Sequence, residues 1–176
     1  MELFLVRHAR ALPAEAVEAS PEGTPHPDEE TADDLRPLTP KGVRRFRKVV
    51  RGLWGLGVEL DLILTSPKRR ALETAELLTD LLEGEVRITP HLAAPPSVAL
   101  LEELPQEGRV ALVGHEPYLS ALLAWLLFGD FAGASAQATL GTRFVLKKGG
   151  VAWLEGRPVP GGMALKALLP PKVFRL

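Results

Sequence analysis

Residues Leu3-Phe4-Leu5-Val6-Arg7-His8-Ala9 form a short apolar run that ends in an adjacent Arg-His pair. An apolar run without alternation predicts a strand buried on both faces. Strands of that kind belong to α/β sheets, whose ligand sites lie at the strands' carboxyl ends. Arg7 and His8 are therefore expected to emerge where a ligand binds. An imidazole beside a guanidinium suits phosphoryl transfer through histidine: the imidazole attacks phosphorus and the guanidinium holds the charged oxygens. Taken alone, the pair also fits a strand end with two solvated polar side chains.

Outward from this strand the pattern alternates. Thr39-Pro40 reads as an N-cap with proline at the first helical position, followed by Val43, Phe46, Val49, Val50, Leu53 and Trp54 at helical spacing. Arg44, Arg45, Arg47, Lys48 and Arg51 between them read as a solvated basic face, and Gly55 and Gly57 end the helix. A second buried strand is expected over Leu60–Thr65. Ser66-Pro67 repeats the cap-plus-proline signal before a helix with an apolar stripe from Ala71 to Leu82. Val86–Thr89 predicts a short strand, Ser97–Leu104 a short helix, Arg109–Val113 a third buried strand, and Pro117 to about Phe128 another helix. Strands are then expected at Phe144–Lys147, Val151–Leu154 and Ala164–Leu169, with a hairpin turn at Gly149-Gly150. Residues 13–37, with five prolines and the acids Asp28, Glu29, Glu30, Asp33 and Asp34, read as a long loop. The expected fold class is α/β: a three-layer sandwich on a mostly parallel, mixed sheet with helices on both faces.

Bulk composition narrows the function classes. The chain has 176 residues, 46% hydrophobic and 24% charged, which suits a single domain over 1–176. A formal net charge of −1 gives no global attraction for nucleic acid or an anionic membrane, and neither is expected as a partner. Cysteine is absent, which excludes disulfides, thiolate metal sites and cysteine nucleophiles. The apolar start is too short for a signal peptide, and Leu119–Phe128 falls well short of a span of about 20 residues, so a cytoplasmic location is expected. Asn is absent and Gln occurs only at 106 and 137, which suits a thermophile or GC-rich codon bias.

The three buried strands end in residues suited to phosphate: Arg7 and His8; Ser66 with Lys68, Arg69 and Arg70; His115 with Glu116. In a parallel sheet these ends share one edge. Lys68-Arg69-Arg70 stands in a helical first turn, where the macrodipole favours acids by about 0.3–1 kcal/mol each. A bound phosphate reverses that penalty. Solvated side chains explain Lys68 and Arg69; Arg70, just before Ala71 and Leu72, is expected nearer the buried side.

Taken together, the motifs resemble those of the histidine phosphatase superfamily, the phosphoglycerate mutase-like fold. Leu5-Val6-Arg7-His8-Ala9 resembles its strand followed by Arg-His-Gly. Ser66-Pro67-Lys68-Arg69-Arg70-Ala71-Leu72-Glu73-Thr74 resembles Ser-Pro-x-x-Arg-Ala-x-Gln-Thr, and Val113-Gly114-His115-Glu116-Pro117 resembles the motif of the second histidine. The resemblance implies His8 as nucleophile and Arg7 and Arg70 as a clamp on the phosphoryl oxygens. It further implies His115 as a donor to the same oxygens, Ser66 near the phosphate, and no metal or other cofactor. Two positions depart: Ala9 replaces glycine and Glu73 replaces glutamine.

The mutase and sugar-bisphosphatase branches carry an Asn in the first motif, and this chain has none. They also carry a Glu general acid before the second histidine, where this chain reads Pro90-His91-Leu92-Ala93-Ala94-Pro95. Glu102 and Glu103 follow and read as surface acids. Glu116 is a candidate general acid, at the position where the acid phosphatase branch typically has Asp. Arg36-Pro37-Leu38-Thr39-Pro40-Lys41-Gly42 resembles the Arg-Pro-Leu-Thr-x-x-Gly segment of SixA-type phosphohistidine phosphatases. Arg36 is expected either at the pocket mouth or anchored to Asp33 or Asp34. A P–N bond whose nitrogen takes a proton from solvent needs less acid assistance than an ester.

The leading expectation is thus a metal-independent phosphatase acting on phosphohistidine in a protein. The alternatives are a small-molecule phosphomonoesterase or mutase-like enzyme and, last, a phosphate-binding regulatory module without turnover. The expected partner is a phosphorylated protein or a small phosphorylated substrate. His26 and His91, and Trp54, Trp125 and Trp153, read as non-catalytic, the tryptophans as packing residues.

Overall fold

The structure is a computed structural model that describes residues 1–17, 29–130 and 139–175. Its strands are β1 (Glu2–Arg7), β2 (Leu60–Thr65), β3 (Leu82–Ile88), β4 (Arg109–Gly114), β5 (Val151–Gly156) and β6 (Met163–Leu169). Its helices are α1 (Glu29–Asp34), α2 (Pro40–Gly55), α3 (Arg69–Leu78), α4 (Val98–Glu102) and α5 (Tyr118–Phe128). One sheet forms in the order β3-β2-β4-β1-β5-β6. The pairs β2–β3, β2–β4 and β1–β4 are parallel, while β1–β5 and β5–β6 are antiparallel.

Alternation of side chains along β1 builds a core on each face of this sheet. Phe4 and Val6 pack with Phe46, Val49 and Leu53 of α2 and Ala71 and Ala75 of α3. Leu3 and Leu5 face the other way, toward Leu100 of α4 and Leu119, Leu122 and Leu126 of α5. All four β1 side chains are essentially inaccessible, and truncating Leu3, Phe4 or Leu5 to alanine costs roughly 2–5 kcal/mol. The architecture is the expected three-layer α/β sandwich on a mixed sheet. Among the described residues, no helix is long and apolar enough to cross a membrane.

Several local expectations need correction. Part of the proline- and acid-rich segment is helical: Glu29–Asp34 forms α1, although it has no apolar stripe to announce it. Ion pairs from Asp33 to Arg36, Lys68 and Arg70 tie it down. Residues 18–28 of the expected loop, with His26, lie outside the described residues. Lys68, not Ser66, is the N-cap residue of α3, so Arg69 and Arg70 alone begin the first turn. That helix stops at Leu78, and Leu81 and Leu82, expected on its stripe, belong to a 3-10 turn and to β3. The strand therefore starts earlier than expected; nearly every β3 side chain is exposed, so no alternation marks it.

Phe144–Lys147 is not a strand, and Gly149-Gly150 is not a hairpin turn. The hairpin joins β5 to β6, closed where Arg157 N donates to Gly162 O at 3.0 Å. Trp54, expected to pack, is 73% exposed at the end of α2.

Candidate active site

Strand register brings the motifs together. Arg7 pairs with Gly114 across β1 and β4, and Thr65 pairs with Val113 across β2 and β4. The ladder continues one step beyond the strands: His8 N donates to Gly114 O at 3.1 Å and Ser66 N to Val113 O at 3.0 Å. His8, Ser66 and His115 thus leave three adjacent strands at the same level. The two imidazoles lie 5.2 Å apart between ring centroids, tilted by 49°. Arg70, on the first turn of α3, is 6% exposed, as are both histidines.

Hydrogen bonds orient the imidazoles. His8 Nδ1 lies 2.7 Å from Ala9 O, an acceptor only, so Nδ1 carries the proton and Nε2 keeps its lone pair. His115 Nε2 lies 2.7 Å from Ser66 Oγ, which itself accepts from Lys68 N at 3.2 Å. The serine proton remains to be donated to Nε2, which places the His115 proton on Nδ1. Three buried side-chain atoms among the described residues lack a hydrogen-bond partner: Arg7 Nε, Arg70 Nε and His115 Nδ1. Buried donors are normally satisfied. That all three belong to the same cluster marks it as a place built to receive acceptor oxygens.

Electrostatics reinforce this character. Burial, with smaller contributions from the charges of Arg70 and Arg7, outweighs the bond to Ala9 O and pushes His8 down to about 4. Burial, followed by the charge of Arg70, pushes His115 down to about 3. Both rings are neutral at physiological pH.

Several supporting groups have no role in the sequence reading. Thr74, buried, accepts from Ala9 N at 3.0 Å and donates to Arg70 O at 2.7 Å, joining the end of β1 to α3. It stands within the second motif quoted above. Gly149, at φ +76°, donates its N–H to both Arg7 O and His8 O at 3.0 and 3.1 Å. Arg7 NH1 donates to Leu146 O at 3.0 Å, so the segment read as a strand instead braces the arginine. Lys148 contributes charge near His8. Asp33, read as part of an acidic loop, accepts from Lys68 and Arg70 at the edge of the cluster.

The remaining expected positions are placed as follows. Arg36 is an anchor: Nε donates to Leu12 O at 2.7 Å and NH1 to Asp33 Oδ1 at 3.2 Å. Glu116 accepts from Ser120 N and Ser120 Oγ with its two oxygens, and it lines an apolar groove of about 570 Å³ that reaches Arg7. Glu103 accepts from Thr89 Oγ1. Glu73 pairs with Arg69 and accepts from Leu38 N. Among the described residues, no group of three His, Asp or Glu side chains is placed to hold a metal ion.

Residues 3–93, which carry His8 and Arg70 but end before His115, match the family described as histidine phosphatase superfamily (branch 1). The chain belongs to the histidine phosphatase superfamily. It is 30% identical over 138 residues to the phosphohistidine phosphatase SixA of Escherichia coli (strain K12), covering 74% of this chain and 76% of that protein. A structure of the protein histidine phosphatase SixA complexed with tungstate superposes with a TM-score of 0.70 at 22% identity, covering 99% of this chain and 100% of that one. A putative alpha-ribazole-5'-P phosphatase from Escherichia coli superposes with a TM-score of 0.67 at 20% identity, covering 97% of each chain. Likeness at such identity shows the shared phosphoglycerate mutase-like fold alone. The superfamily match together with the likeness to SixA makes the chain a phosphatase enzyme.

Proposed function

We propose that the protein is a metal-independent phosphohistidine phosphatase acting on a protein substrate. His8 Nε2 attacks phosphorus, the P–N bond of the substrate breaks, and the departing imidazole takes a proton from solvent. Water then attacks the phosphorus on His8, the Nε2–P bond breaks, and inorganic phosphate leaves with a proton released to solvent. Arg7, Arg70 and His115 donate to the phosphoryl oxygens throughout, the arginines neutralising charge that water would otherwise stabilise. Ser66 holds His115 in the donating tautomer.

The observation that carries the phosphoramidate reading is the state of the nearby carboxylates. Asp33 is held ionised by Lys68, Arg36 and Arg70, and both Glu116 oxygens accept from Ser120. An alkyl leaving group needs a proton from such a carboxyl; a histidine leaving group does not. A small-molecule phosphomonoesterase is the second reading, favoured by the groove in which Glu116 meets Arg7.

The test is phosphate release, in chelator and without added metal, from a phosphohistidine peptide and from an alkyl monoester such as glycerol 3-phosphate at matched concentration. Preference for the peptide, lost in His8→Ala, is the expected result. Equal or greater turnover of the ester, reduced by Glu116→Gln, replaces this reading with the second.

A further inference from the structure

A second groove opens beside Arg7 on the side facing α2 and the last residues of the chain. It encloses about 820 Å³. Besides Arg7, its walls carry Arg10, Arg45, Lys147, Lys148, Lys172 and Arg175, and no Asp or Glu. These six cations come from four separate stretches of chain, so the tertiary structure gathers them. Five are exposed and Arg45 is half-buried. None forms an ion pair with a described residue, so no carboxylate of the described chain offsets their charge. The chain as a whole has a formal charge of −1, so the groove does not merely reflect a basic composition.

Like charges held this close work against folding. Burial and the charges of Arg175 and Arg10 lower the pKa of Arg45; burial and the charges of Arg7, Arg36, Arg10 and Arg70 lower that of Lys148. Such a concentration is relieved by an anionic partner, which it also steers toward the adjoining site.

We propose that this groove is the docking surface for an acidic segment of the phosphoprotein substrate. The inference rests on the reading of the substrate as a protein. Between the cations the groove exposes apolar surface from Val145, Leu168 and Pro170. That combination fits a peptide with acids on one side and aliphatic side chains on the other. Single-stranded nucleic acid wants exposed aromatic faces for its bases, but Phe46, the aromatic residue lining the groove, is 1% exposed. Because Arg7 lines the groove and also belongs to the phosphoryl cluster, a segment seated here leads straight to His8. The groove therefore selects among phosphoproteins by the charge flanking their phosphohistidine.

Binding and turnover test this separately. A fluorescein-labelled peptide of about a dozen Glu and Leu residues around one His is titrated by anisotropy, beside a twin with Gln for Glu. The comparison uses R45E/K172E/R175E and the milder R45Q/K172Q/R175Q. Wild type is expected to bind the Glu peptide about tenfold more tightly than its twin, losing affinity as salt rises; both variants lose about tenfold. Hydrolysis of free phosphoramidate stays within about twofold of wild type, which excludes a folding or catalytic defect. With the His phosphorylated, kcat/KM falls about tenfold in the variants, through KM. Equal affinity for the two peptides, or unchanged binding in the charge-reversed variant, overturns the docking surface. So does tighter, groove-dependent binding of oligothymidylate. Groove-dependent peptide binding without phosphohistidine hydrolysis keeps the docking surface and overturns the substrate reading.

Discussion

Asp33 occupies both terminal nitrogens of Arg70: its backbone carbonyl accepts from NH1 at 2.8 Å and its carboxylate from NH2 at 3.3 Å. The same carboxylate oxygen accepts from Lys68 Nζ at 3.0 Å. Under the proposed function, this chain-borne anion competes with the phosphoryl group for Arg70. Burial alone raises the Asp33 pKa, but hydrogen bonds from Lys68 and Arg36 and the charge of Arg70 hold it at about 2, so it stays ionised throughout the working range. Asp33→Asn keeps the backbone carbonyl on Arg70 and removes the competing charge. The variant is expected to bind inorganic phosphate roughly 3- to 10-fold more tightly, read as product inhibition or by calorimetry. Weaker binding means that the carboxylate orients Arg70 more than it competes.

Stability should fall in acid because of His8 and His115. Their folded pKa values, about 4 and about 3, lie below the ordinary 6.5. As pH drops through 6.5 the unfolded chain takes up protons that the folded chain refuses. Their contribution is fully present above about 6.5 and is lost as pH falls toward 4 and then 3. For His8 the loss is on the order of 3 kcal/mol. Urea melts between pH 7.5 and 4 are expected to show this slope, and His8→Asn to flatten part of it. A slope unchanged by that substitution assigns the acid sensitivity elsewhere.

Ser66→Ala removes the proton that fixes the His115 tautomer. Phosphate affinity is expected to fall by about tenfold, since His115 Nδ1 no longer presents a committed donor. Nitrogen-15 spectra of His115 should show protonation at Nδ1 in the wild type and a mixture in the variant. A wild-type ring protonated at Nε2 refutes the assignment.

Thr74→Val keeps shape and burial but deletes the acceptor for Ala9 N–H. An unsatisfied buried amide costs about 1–3 kcal/mol, and each kcal/mol lowers Tm by roughly 2–4 °C in a chain of this size. Activity should fall as well, because Ala9 directly follows His8, the proposed nucleophile. Thermal melts and kcat measured well below Tm separate the two effects; an unchanged Tm shows that the amide finds another partner.

Much of the site is legible in the sequence, because its signals are local. The apolar runs ending at Arg7, Thr65 and Gly114 announce buried strands, and parallel register alone brings His8, Ser66 and His115 level. The buried position of Arg70 followed from its place before Ala71 and Leu72. By contrast, α1 carries no apolar periodicity, and β3 carries no alternation because it is an exposed edge. Gly149-Gly150 looked like a hairpin turn because glycine pairs favour turns, while its role at the strand end depends on Arg7 and His8, far away in the chain.

The sequence by itself determined the sandwich and the strand ends and singled out the residues that converge there, since hydrophobic period, caps and motif chemistry act over a few neighbouring positions. Only the tertiary structure decided that Asp33 sits on Arg70, that Thr74 ties Ala9 to α3, and that six cations line one groove. Those relationships join residues tens of positions apart or more. They exist because strand register and the packing of layers on both faces of the sheet bring those distant positions together.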